Sequence, residues 1–364
     1  MKDSNTWAGM DAHADSILVA VYGSEGEQIL QEYEIVPDSK GLISLLKRMK
    51  ALGGKVRCVY EAGPCGYELY RFLNNHGIDC AVVAPSLIPR KPGDRVKTDR
   101  RDARKLARLY RAGELTVIEV PDEKREAMRD LIRAREDLVE DVMRRRHRLV
   151  KYLLRHGHRY REGKAWTEKF WRWVESLEWE EGPVRWVIEE YRIGLEQATE
   201  QLQRLSRAIE EQAEAAEYKP HVDRLKTFRG IQTLTAMTLL TEVGNWKRYL
   251  KASAFMSAIG LVPSESSSGG KTRRGSITKT GNAHVRRVLV EAAWHYRHRP
   301  GCSVRLKERR KGQPAAVVAV AQKADVRLYR KFHKLVHRGK LPCVAVVSVA
   351  RELAGFLWAM EQVA

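Results

Sequence analysis

The 364-residue sequence predicts a mixed α/β domain over residues 1–118, a helical arm over 119–219 and a mostly α-helical domain over 220–364. Three short strand-like segments come first and are followed by alternating helix and strand, the order of a mixed sheet covered by helices. Two long charged segments with helical spacing come next, and apolar segments of helical length fill the last third. An apolar fraction of 43% is enough for buried cores.

The elements of the first domain follow from its hydrophobic periodicity. The first three strands are predicted at 7–10, 16–22 and 28–36, with a tight turn at 13–15. The remaining elements alternate, with helices at 41–52, 66–76 and 98–112 and strands at 55–60 and 79–84. This order favours an α/β arrangement of the ribonuclease H type.

The arm is predicted to consist of two long helices, over 122–156 and 184–216, joined by a Trp-rich bend. In the second helix, apolar residues at alternating steps of three and four form the seam of a coiled coil: Leu195, Ala198, Leu202, Leu205 and Ile209. The seam could pair within one chain or between two. The tryptophans of the bend are predicted to be core residues rather than a base-stacking platform: Trp166, Trp171, Trp173 and Trp179.

The third domain combines apolar helices with one polar segment. Helical patterns cover 234–243, 252–261, 285–296, 314–336 and 344–360. Residues 263–281 are rich in Ser, Gly, Thr and basic side chains, and this composition predicts a loop.

The charge of the chain indicates a polyanionic partner. The formal net charge is +20, and Gly269–Lys340 holds 20 Lys or Arg against three acidic residues. Cations that neutralise phosphates gain free energy from counterion release. A merely solvated basic face is the alternative interpretation, and the density of the cations disfavours it.

The cysteines and the hydropathy bear on the compartment. The five cysteines lie far apart, without the paired spacing of a zinc site or a disulfide framework. The sequence contains no uncharged apolar stretch of membrane-spanning length and no recognisable signal peptide. We therefore expect a protein of the reducing cytoplasm that does not insert into a membrane.

Four acidic residues are candidates for a metal site. Asp11 ends the first predicted strand, Glu61 ends the fourth, and Asp99 and Asp102 lie three apart at the start of a helix. Converging carboxylates repel one another unless a divalent cation compensates their charge. Oxygen ligands suit hard ions such as Mg²⁺ or Mn²⁺. Taken singly, each acid could instead be a helix cap or a turn residue.

The polar segment of the third domain offers hydroxyl nucleophiles beside cations. Ser266, Ser267 and Ser268 precede a Gly pair. Basic residues follow, and they are candidate nucleic-acid ligands: Lys271, Arg273, Arg274, Lys279, Arg286 and Arg287. A second basic set lies on the arm: Arg144, Arg145, Arg146 and Arg148. A serine attacking phosphorus needs cations around the transition state, but a loop that only grips phosphates has the same composition.

Four segments in this order resemble the Piv/MooV-type DEDD transposases, the one-ten insertion-sequence family. They are GMDAHADSILVAVY, VYEAGPCGYEL, KTDRRDARKLARL and GLVPSESSSGGKTRRGSITKTGNAHVRRVL, and the resemblance extends from residue 7 to about 300. It implies a RuvC-like N-terminal domain, a coiled-coil arm and a C-terminal transposase domain with a catalytic serine. The Trp-rich bend and the basic tail beyond Pro300 lie outside these motifs.

The resemblance also assigns roles to residues and partners. The metal ligands would be Asp11, Glu61, Asp99 and Asp102, and the nucleophile Ser268, with Ser267 as the fallback. The serine would become joined to a DNA end, and strands would be exchanged between donor and target DNA. A structured noncoding guide RNA would supply the sequence specificity. A homo-oligomer, either a dimer or a tetramer, would bring the two DNAs together.

Two rival functions stay open at this point. A RuvC-like nuclease or junction resolvase would hydrolyse DNA through water, and the serine segment would only bind. A nucleic-acid-binding scaffold would retain salt-dependent binding without any reaction. Replacing Ser268 discriminates the first rival from a transposase, and replacing the carboxylates discriminates the second.

Overall fold

The computed structural model describes residues 5–24, 28–89, 98–179, 181–301 and 303–363. These residues belong to two compact units, Met1–Pro121 and Asp122–Ala364. The predicted α/β domain lies in the first unit. The predicted arm and third domain both lie in the second.

A mixed sheet organises the first unit. Its strands are β1 (Asn5–Ala12), β2 (Ile17–Tyr22), β3 (Ile29–Ile35), β4 (Lys55–Glu61) and β5 (Asp79–Val83). Within the described residues the strand order is β3-β2-β1-β4-β5. β1, β2 and β3 pair antiparallel, whereas β4 and β5 run parallel to β1. The predicted strands and the mixed character of the sheet are confirmed.

Helices cover both faces of this sheet: α1 (Ser39–Ala51), α2 (Glu68–Asn75) and α3 (Asp99–Arg111). Leu45 of α1 and Leu73 of α2 pack with Met10 on one face. Ala103 and Ala107 of α3 pack with β2 residues on the other. Because successive strand residues point to opposite faces, each apolar strand contributes to both cores.

Gly9 of β1 allows α3 to approach the sheet closely. A Cβ atom at this position would lie 2.1 Å from the carbonyl oxygen of Ala103 and 2.4 Å from the amide nitrogen of Ala107. Both atoms are helix backbone, so they cannot move aside as a flexible side chain would. The absent side chain therefore sets the distance between α3 and β1.

The arm of the second unit consists of α4 (Glu123–Arg155), α5 (Glu168–Glu175) and α6 (Pro183–Ala213). Val142 and Leu149 of α4 share a core with Leu195 and Ala198 of α6, so these seam residues pack within one chain. The four tryptophans of the bend pack against this core, as predicted. Trp166, Trp171 and Trp173 contact Phe170, and Trp179 contacts Tyr152. A coiled-coil geometry of the helix pair stays a prediction.

The remainder of the second unit is mostly helical, as predicted. Its helices are α7 (Lys219–Leu225), α8 (Thr233–Val243), α9 (Ala252–Ala258), α10 (Ala283–Ala293), α11 (Val304–Arg310), α12 (Ala315–His337) and α13 (Pro342–Val363). Among the described residues, α13 is long and apolar enough to cross a membrane by length and composition. Leu353, Leu357 and Met360 of α13 have no exposed surface and lie in the protein core, and the central helix of a compact domain passes the same test.

The predicted loop over 263–281 was wrong for most of its length. It is a β-hairpin of β6 (Pro263–Ser268) and β7 (Lys271–Ile277). Gly269 and Gly270 form its two-residue turn with φ of +55° and +77°. Such turns require positive φ at both positions, which glycine adopts without strain. The Gly pair therefore marks a tight turn between polar strands rather than a flexible segment.

A buried carboxylate joins three helices of the second unit. Glu242 of α8 has no exposed side-chain surface. It accepts hydrogen bonds from Arg133 of α4 at 2.7 and 2.9 Å and from Asn282 at 2.6 Å. Asn282 is also the N-cap of α10, where its Oδ1 accepts from the Val285 amide at 3.0 Å. Glu242 therefore links α4, at the end of the arm that carries Arg133, to α8 and α10.

Glu242 is held in its charged form. Burial by itself raises the pKa of Glu242, but the hydrogen bond from Arg133, the charge of Arg129 and the hydrogen bond from Asn282 outweigh it. The pKa therefore lies below the usual value for a glutamate. Breaking such a buried pair leaves an uncompensated charge.

We expect Gly9→Ala to lower the free energy of unfolding of the first unit by about 2–4 kcal/mol, because the added methyl overlaps helix backbone. Chemical denaturation followed by circular dichroism measures this loss. Gly23→Ala is the matched control, since its Cβ would meet the flexible Leu30 side chain at 3.4 Å. Equal stability of the two variants would contradict the close approach.

We expect Glu242→Gln to lower the free energy of unfolding by about 3 kcal/mol at pH 7, because Arg129 and Arg133 lose their buried counter-charge. The folded pKa of Glu242 lies below the unfolded value of about 4.3. Its stabilisation is therefore present above that pH and is lost as the pH falls through the folded pKa. Urea titrations between pH 7 and pH 3 should show the difference from the native chain shrinking with acid.

The control is Glu196→Gln, which removes an exposed partner of Arg192 on α6. It should change stability little at any pH. A difference for Glu242→Gln that stays constant from pH 7 to pH 3 would show that its charge is not the stabilising feature.

Candidate active site

Asp11 and Glu61 lie at the carboxyl ends of neighbouring parallel strands. Met10 of β1 is in register with Tyr60 of β4, so Asp11 and Glu61 are the next residues along each strand. Met10 and Tyr60 point into the core on the α1 and α2 side. Because strand residues alternate, Asp11 and Glu61 belong to the other face, which α3 covers. The predicted meeting of these two acids at one end of the sheet is confirmed at the level of the backbone.

The first turn of α3 supplies Asp99 and Asp102. Thr98 is the N-cap, and its Oγ1 accepts a hydrogen bond from the Arg101 amide at 3.3 Å. Acidic residues in the first turn are favoured by the positive end of the helix dipole. The close packing of α3 on β1 brings this acidic turn to the end of the strand that carries Asp11.

His13 joins the acidic residues, although its position in the sequence predicts only a turn residue. Its Nε2 lies 3.3 Å from Oδ2 of Asp11 and 3.9 Å from Oδ1 of Asp99. One ligand atom from each of Asp11, His13 and Asp99 lies within 4.8 Å of the others. The available signal was the spacing of Asp11 and His13, since residues two apart share a face of extended chain.

The described residues form one such group of potential ligands, and it includes neither Glu61 nor Asp102. Asp102 still acts on Asp11 electrostatically, and Glu61 lies on the adjacent strand. The four predicted acids are therefore gathered at one end of the sheet, but only Asp11 and Asp99 belong to the tight cluster with His13.

The Asp11 carboxyl lies in an environment that disfavours its charge. Burial raises its pKa, His13 lowers it, and the negative charges of Asp99 and Asp102 raise it again, so that the net direction is upward. Its Oδ2 atom is buried and lies 3.3 Å from the His13 Nε2. A buried carboxylate beside the like charges of Asp99 and Asp102 is the environment that a bound cation stabilises.

The residues at this site fit a divalent cation. Asp11 and Asp99 offer carboxylate oxygens, which hard ions prefer, and His13 adds an imidazole nitrogen. A histidine nitrogen thus lies within reach beside the expected oxygen ligands, and the ligand set of Asp11, Glu61, Asp99 and Asp102 stays a prediction. The acidic cluster supports a divalent-metal site.

The serine segment forms the end of the hairpin. Ser268 is in register with Lys271, Ser267 with Thr272 and Ser266 with Arg273. Directly opposed residues of an antiparallel pair share a face, and neighbours along a strand alternate. Ser266 and Ser268 therefore lie on one face with Lys271 and Arg273.

The other face of the hairpin carries Ser267 and Thr272. It also carries Glu265, whose carboxylate accepts a hydrogen bond from Arg274 at 3.1 Å. The exposed serines thus differ in surroundings, since Ser268 shares its face with two cations and Ser267 shares its face with an internal ion pair.

The remaining predicted cations near the hairpin differ in their contacts. Lys279 is exposed. Arg286 of α10 donates through Nη1 to the carbonyls of Ile259, Thr280 and Gly281 at 3.0, 2.8 and 3.1 Å. Arg287 forms ion pairs with Glu136 and Glu291. Arg286 thus stabilises the segment that follows the hairpin, through its carbonyls at Thr280 and Gly281, and Arg287 links α10 to α4 of the arm.

The arm cations lie along one stretch of α4. Arg144 forms an ion pair with Asp141 at 2.6 Å, and the Arg146 guanidinium lies over the Trp166 ring at 5.2 Å. Arg145 lies against Gly194 of α6, where a Cβ would be 2.4 Å from its Nη1. Arg148 is exposed. A nucleic-acid contact through these four residues stays a prediction.

Two family models match the chain. Residues 8–157 match a transposase model of the DEDD IS110 type, and residues 222–305 match the model described as the transposase IS116/IS110/IS902 family. The first match contains the acidic cluster. The second contains the serine hairpin.

The chain is similar to known transposases along most of its length. It is 41% identical over 354 residues to the putative transposase y4qE of Sinorhizobium fredii, covering 96% of this chain and 86% of the relative. It is 36% identical over 341 residues to the transposase for insertion sequence element IS1533 of Leptospira borgpetersenii, covering 92% and 97%. It is 25% identical over 309 residues to a probable family 20 transposase of Pseudomonas aeruginosa, covering 83% of each chain.

We expect Asp11→Asn to weaken Mn²⁺ binding by at least about tenfold, because it removes the charge of the most buried ligand oxygen. Isothermal titration calorimetry of the full chain measures the affinity without any reaction. Asp15→Asn is the matched control, since it removes the same charge from an exposed turn residue beside the cluster. Indistinguishable titrations for Asp11→Asn and the native chain would show that the cluster does not bind the ion.

Proposed function

Because the chain belongs to the IS116/IS110/IS902 family of transposases, we propose that it cuts and rejoins insertion-sequence DNA through a serine nucleophile and a metal site. The observation that carries the proposal is the cluster of Asp11, His13 and Asp99 at the end of β1. It lies within the part of the chain that matches the DEDD-type family model.

The proposed metal is Mg²⁺, or Mn²⁺ in its place, held by Asp11 and Asp99 with Glu61 and Asp102 nearby. When bound, such an ion neutralises charge on a scissile phosphate and orients it. Asp11 provides the buried oxygen, and the His13 Nε2 lies 3.3 Å from it. The hard carboxylate oxygens favour Mg²⁺, and the imidazole of His13 is compatible with Mn²⁺.

The proposed nucleophile is Ser268, with Ser267 as the fallback. Support comes from the position of Ser268 next to the Gly269–Gly270 turn, exposed, on the same hairpin face as Lys271 and Arg273. Cations on this face can offset the charge that develops on the phosphoryl oxygens. Ser266 shares this face, whereas Ser267 lies on the face of the Glu265–Arg274 ion pair.

In the proposed step the Ser268 Oγ forms a bond to phosphorus as the bond from phosphorus to a sugar oxygen breaks. The hydroxyl loses its proton, and the departing sugar oxygen gains one. The product is a phosphodiester between protein and DNA, so a second sugar hydroxyl can displace the serine without an external energy source. This chemistry suits an enzyme that rejoins what it cuts.

The proposed fold of the first unit is RuvC-like, within the ribonuclease H class. Support comes from the strand order β3-β2-β1-β4-β5, with three antiparallel strands followed by two parallel ones. In this arrangement the central strand β1 presents Asp11 at its end. The α3 helix covers the same face and presents Asp99.

The proposed partners are donor and target DNA, a structured noncoding guide RNA and further copies of this chain as a dimer or tetramer. The net charge of +20 supports the nucleic acids. Exposed apolar residues on the paired arm helices, including Trp186 at 65% and Met143 at 45%, support a contact between copies. The arm seam would then contribute to the fold within one chain, and its outer surface to assembly.

The proposed compartment is the cytoplasm. Cys58 and Cys80 are in register on neighbouring strands and are buried, yet they are free thiols, as are the exposed Cys65 and Cys343. Burial raises the pKa of Cys58 to about 12, so this thiol is unreactive. Unpaired cysteines at neighbouring positions fit a reducing environment. Cys302 lies outside the described residues.

We expect the native chain, incubated with its flanking noncoding transcript, Mg²⁺ and labelled donor and target DNA, to become covalently attached to a DNA end. Ser268→Ala should abolish the adduct, a loss of at least about 10³-fold, because no oxygen is left to attack phosphorus. Asp11→Ala should abolish it as well. Denaturing gels and mass spectrometry of the adduct provide the measurement.

Ser267→Ala is the matched control and should retain the adduct. If Ser267→Ala abolished the adduct and Ser268→Ala did not, Ser267 would be the nucleophile. Free cleaved ends without adduct, unchanged by Ser268→Ala, would favour the metal nuclease. Salt-dependent binding without any reaction would favour the scaffold.

A further inference from the structure

The α12 helix carries a stripe of cations on its exposed side. Lys323, Arg330, Lys334 and Arg338, the last of which is the C-cap residue of α12, are all exposed and follow one another at steps of seven, four and four residues. At 3.6 residues per turn they fall within an arc of about 80°. Arg327 occupies the position between the first two. The stripe runs for about 22 Å along the helix axis, given a rise of 1.5 Å per residue.

The charge of this stripe is not compensated by the helix itself. Asp325 is the acidic residue of α12, and it is buried and accepts a hydrogen bond from Arg310 at 2.8 Å. Glu352 of α13 pairs with Arg327 and with Lys331. Among the described residues, no ion pair engages the four cations of the stripe.

On other helices of the same unit, cations form ion pairs with acidic residues of the same helix. On α4, Arg144 pairs with Asp141, and on α6, Arg185 pairs with Glu189 and Arg192 with Glu196. Like charges four residues apart, such as Arg330, Lys334 and Arg338, instead destabilise a helix by a few tenths of a kcal/mol per pair. Binding of a polyanion removes this repulsion.

The exposed side of α12 also has a shape that can fit into a wide groove. Its N-terminal half exposes the small residues Ala315, Ala316 and Ala319. The opposite side, with Leu328 and Phe332, packs in the core of the unit. The major groove of B-form DNA is about 12 Å wide and accepts a helix, whereas the major groove of A-form RNA is too narrow.

We propose that the exposed side of α12 is a binding surface for duplex DNA, with Lys323, Arg330, Lys334 and Arg338 contacting backbone phosphates. The surface lies on the basic tail beyond Pro300, outside both the acidic cluster and the serine hairpin. The inference rests on the proposed function only in taking duplex DNA as a substrate.

The test is a fluorescence anisotropy titration of a 25-base-pair duplex with the full chain at several salt concentrations. The stripe variant replaces Lys323, Arg330, Lys334 and Arg338 with Gln, which preserves helix propensity. We expect its affinity to fall about 10²- to 10³-fold at 0.1 M salt. The slope of log K against log salt should become shallower by about 3 to 4, near 0.9 per lost phosphate contact.

The matched control removes four positive charges elsewhere in the unit, by replacing Lys164, Arg204, Arg207 and Lys251 with Gln. These residues are exposed. The control should keep the native slope. A second variant exchanges Lys and Arg at the four stripe positions, which preserves charge, and should bind within about threefold of the native chain. Thermal unfolding of each variant verifies that it folds.

A native slope in a folded stripe variant would overturn the inference, and so would an equal loss in the control variant. Weaker binding confined to a 25-base-pair RNA duplex would overturn it too, by assigning the surface to RNA. The adduct assay on the same preparations separates the two proposals. An adduct formed normally beside an unchanged salt slope refutes the α12 surface and leaves the serine mechanism intact.

Discussion

The close packing of α3 on β1 is the constraint on which the candidate metal site depends. Gly9 has no side chain, so the backbone of Ala103 can approach to a distance that any Cβ would forbid. The helix begins at the Thr98 N-cap, and its acidic first turn consequently lies where β1 ends in Asp11 and His13. The helix dipole favours the acids of this turn, but their mutual repulsion disfavours them. A bound cation resolves that conflict, and for this reason the cluster indicates a site rather than a set of caps.

Buried carboxylates link the helices of the second unit, whereas in the first unit the missing side chain of Gly9 allows a helix to pack closely on the sheet. Glu242 and Glu136 each bind α4 to other helices, Glu242 through Arg133 and Asn282 and Glu136 through His284 and Arg287. Burial opposes the charge on both carboxylates, and their hydrogen-bond donors more than offset it, so both pKa values are lowered. These contacts tie the base of the arm to the helix that follows the serine hairpin.

The surface cations fall into two groups, those that bind carbonyls or carboxylates of the same unit and those that face solvent. Arg286 and Arg287 belong to the internal framework, since carbonyls and carboxylates of the same unit engage them. Lys271 and Arg273 lie beside Ser268 on one hairpin face. The four stripe residues Lys323, Arg330, Lys334 and Arg338 face solvent without acidic partners among the described residues, whereas Arg327 and Lys331 of α12 pair with Glu352. A count of basic residues cannot make this distinction. It depends on which acids the fold brings within reach.

The sequence by itself determined the order of strands and helices, the charge, and the four acids at element ends, because these follow from local periodicity and spacing. The family resemblance rested on motifs that are equally local. Only the tertiary structure brought His13 to Asp11 and Asp99, separated Ser268 from Ser267 by hairpin face, and turned a predicted loop into two strands around Gly269 and Gly270. It also assigned Arg286 and Arg287 to internal contacts. These outcomes depend on residues distant in the chain, or on a strand register that polar residues specify weakly, and neither can be read from a single segment.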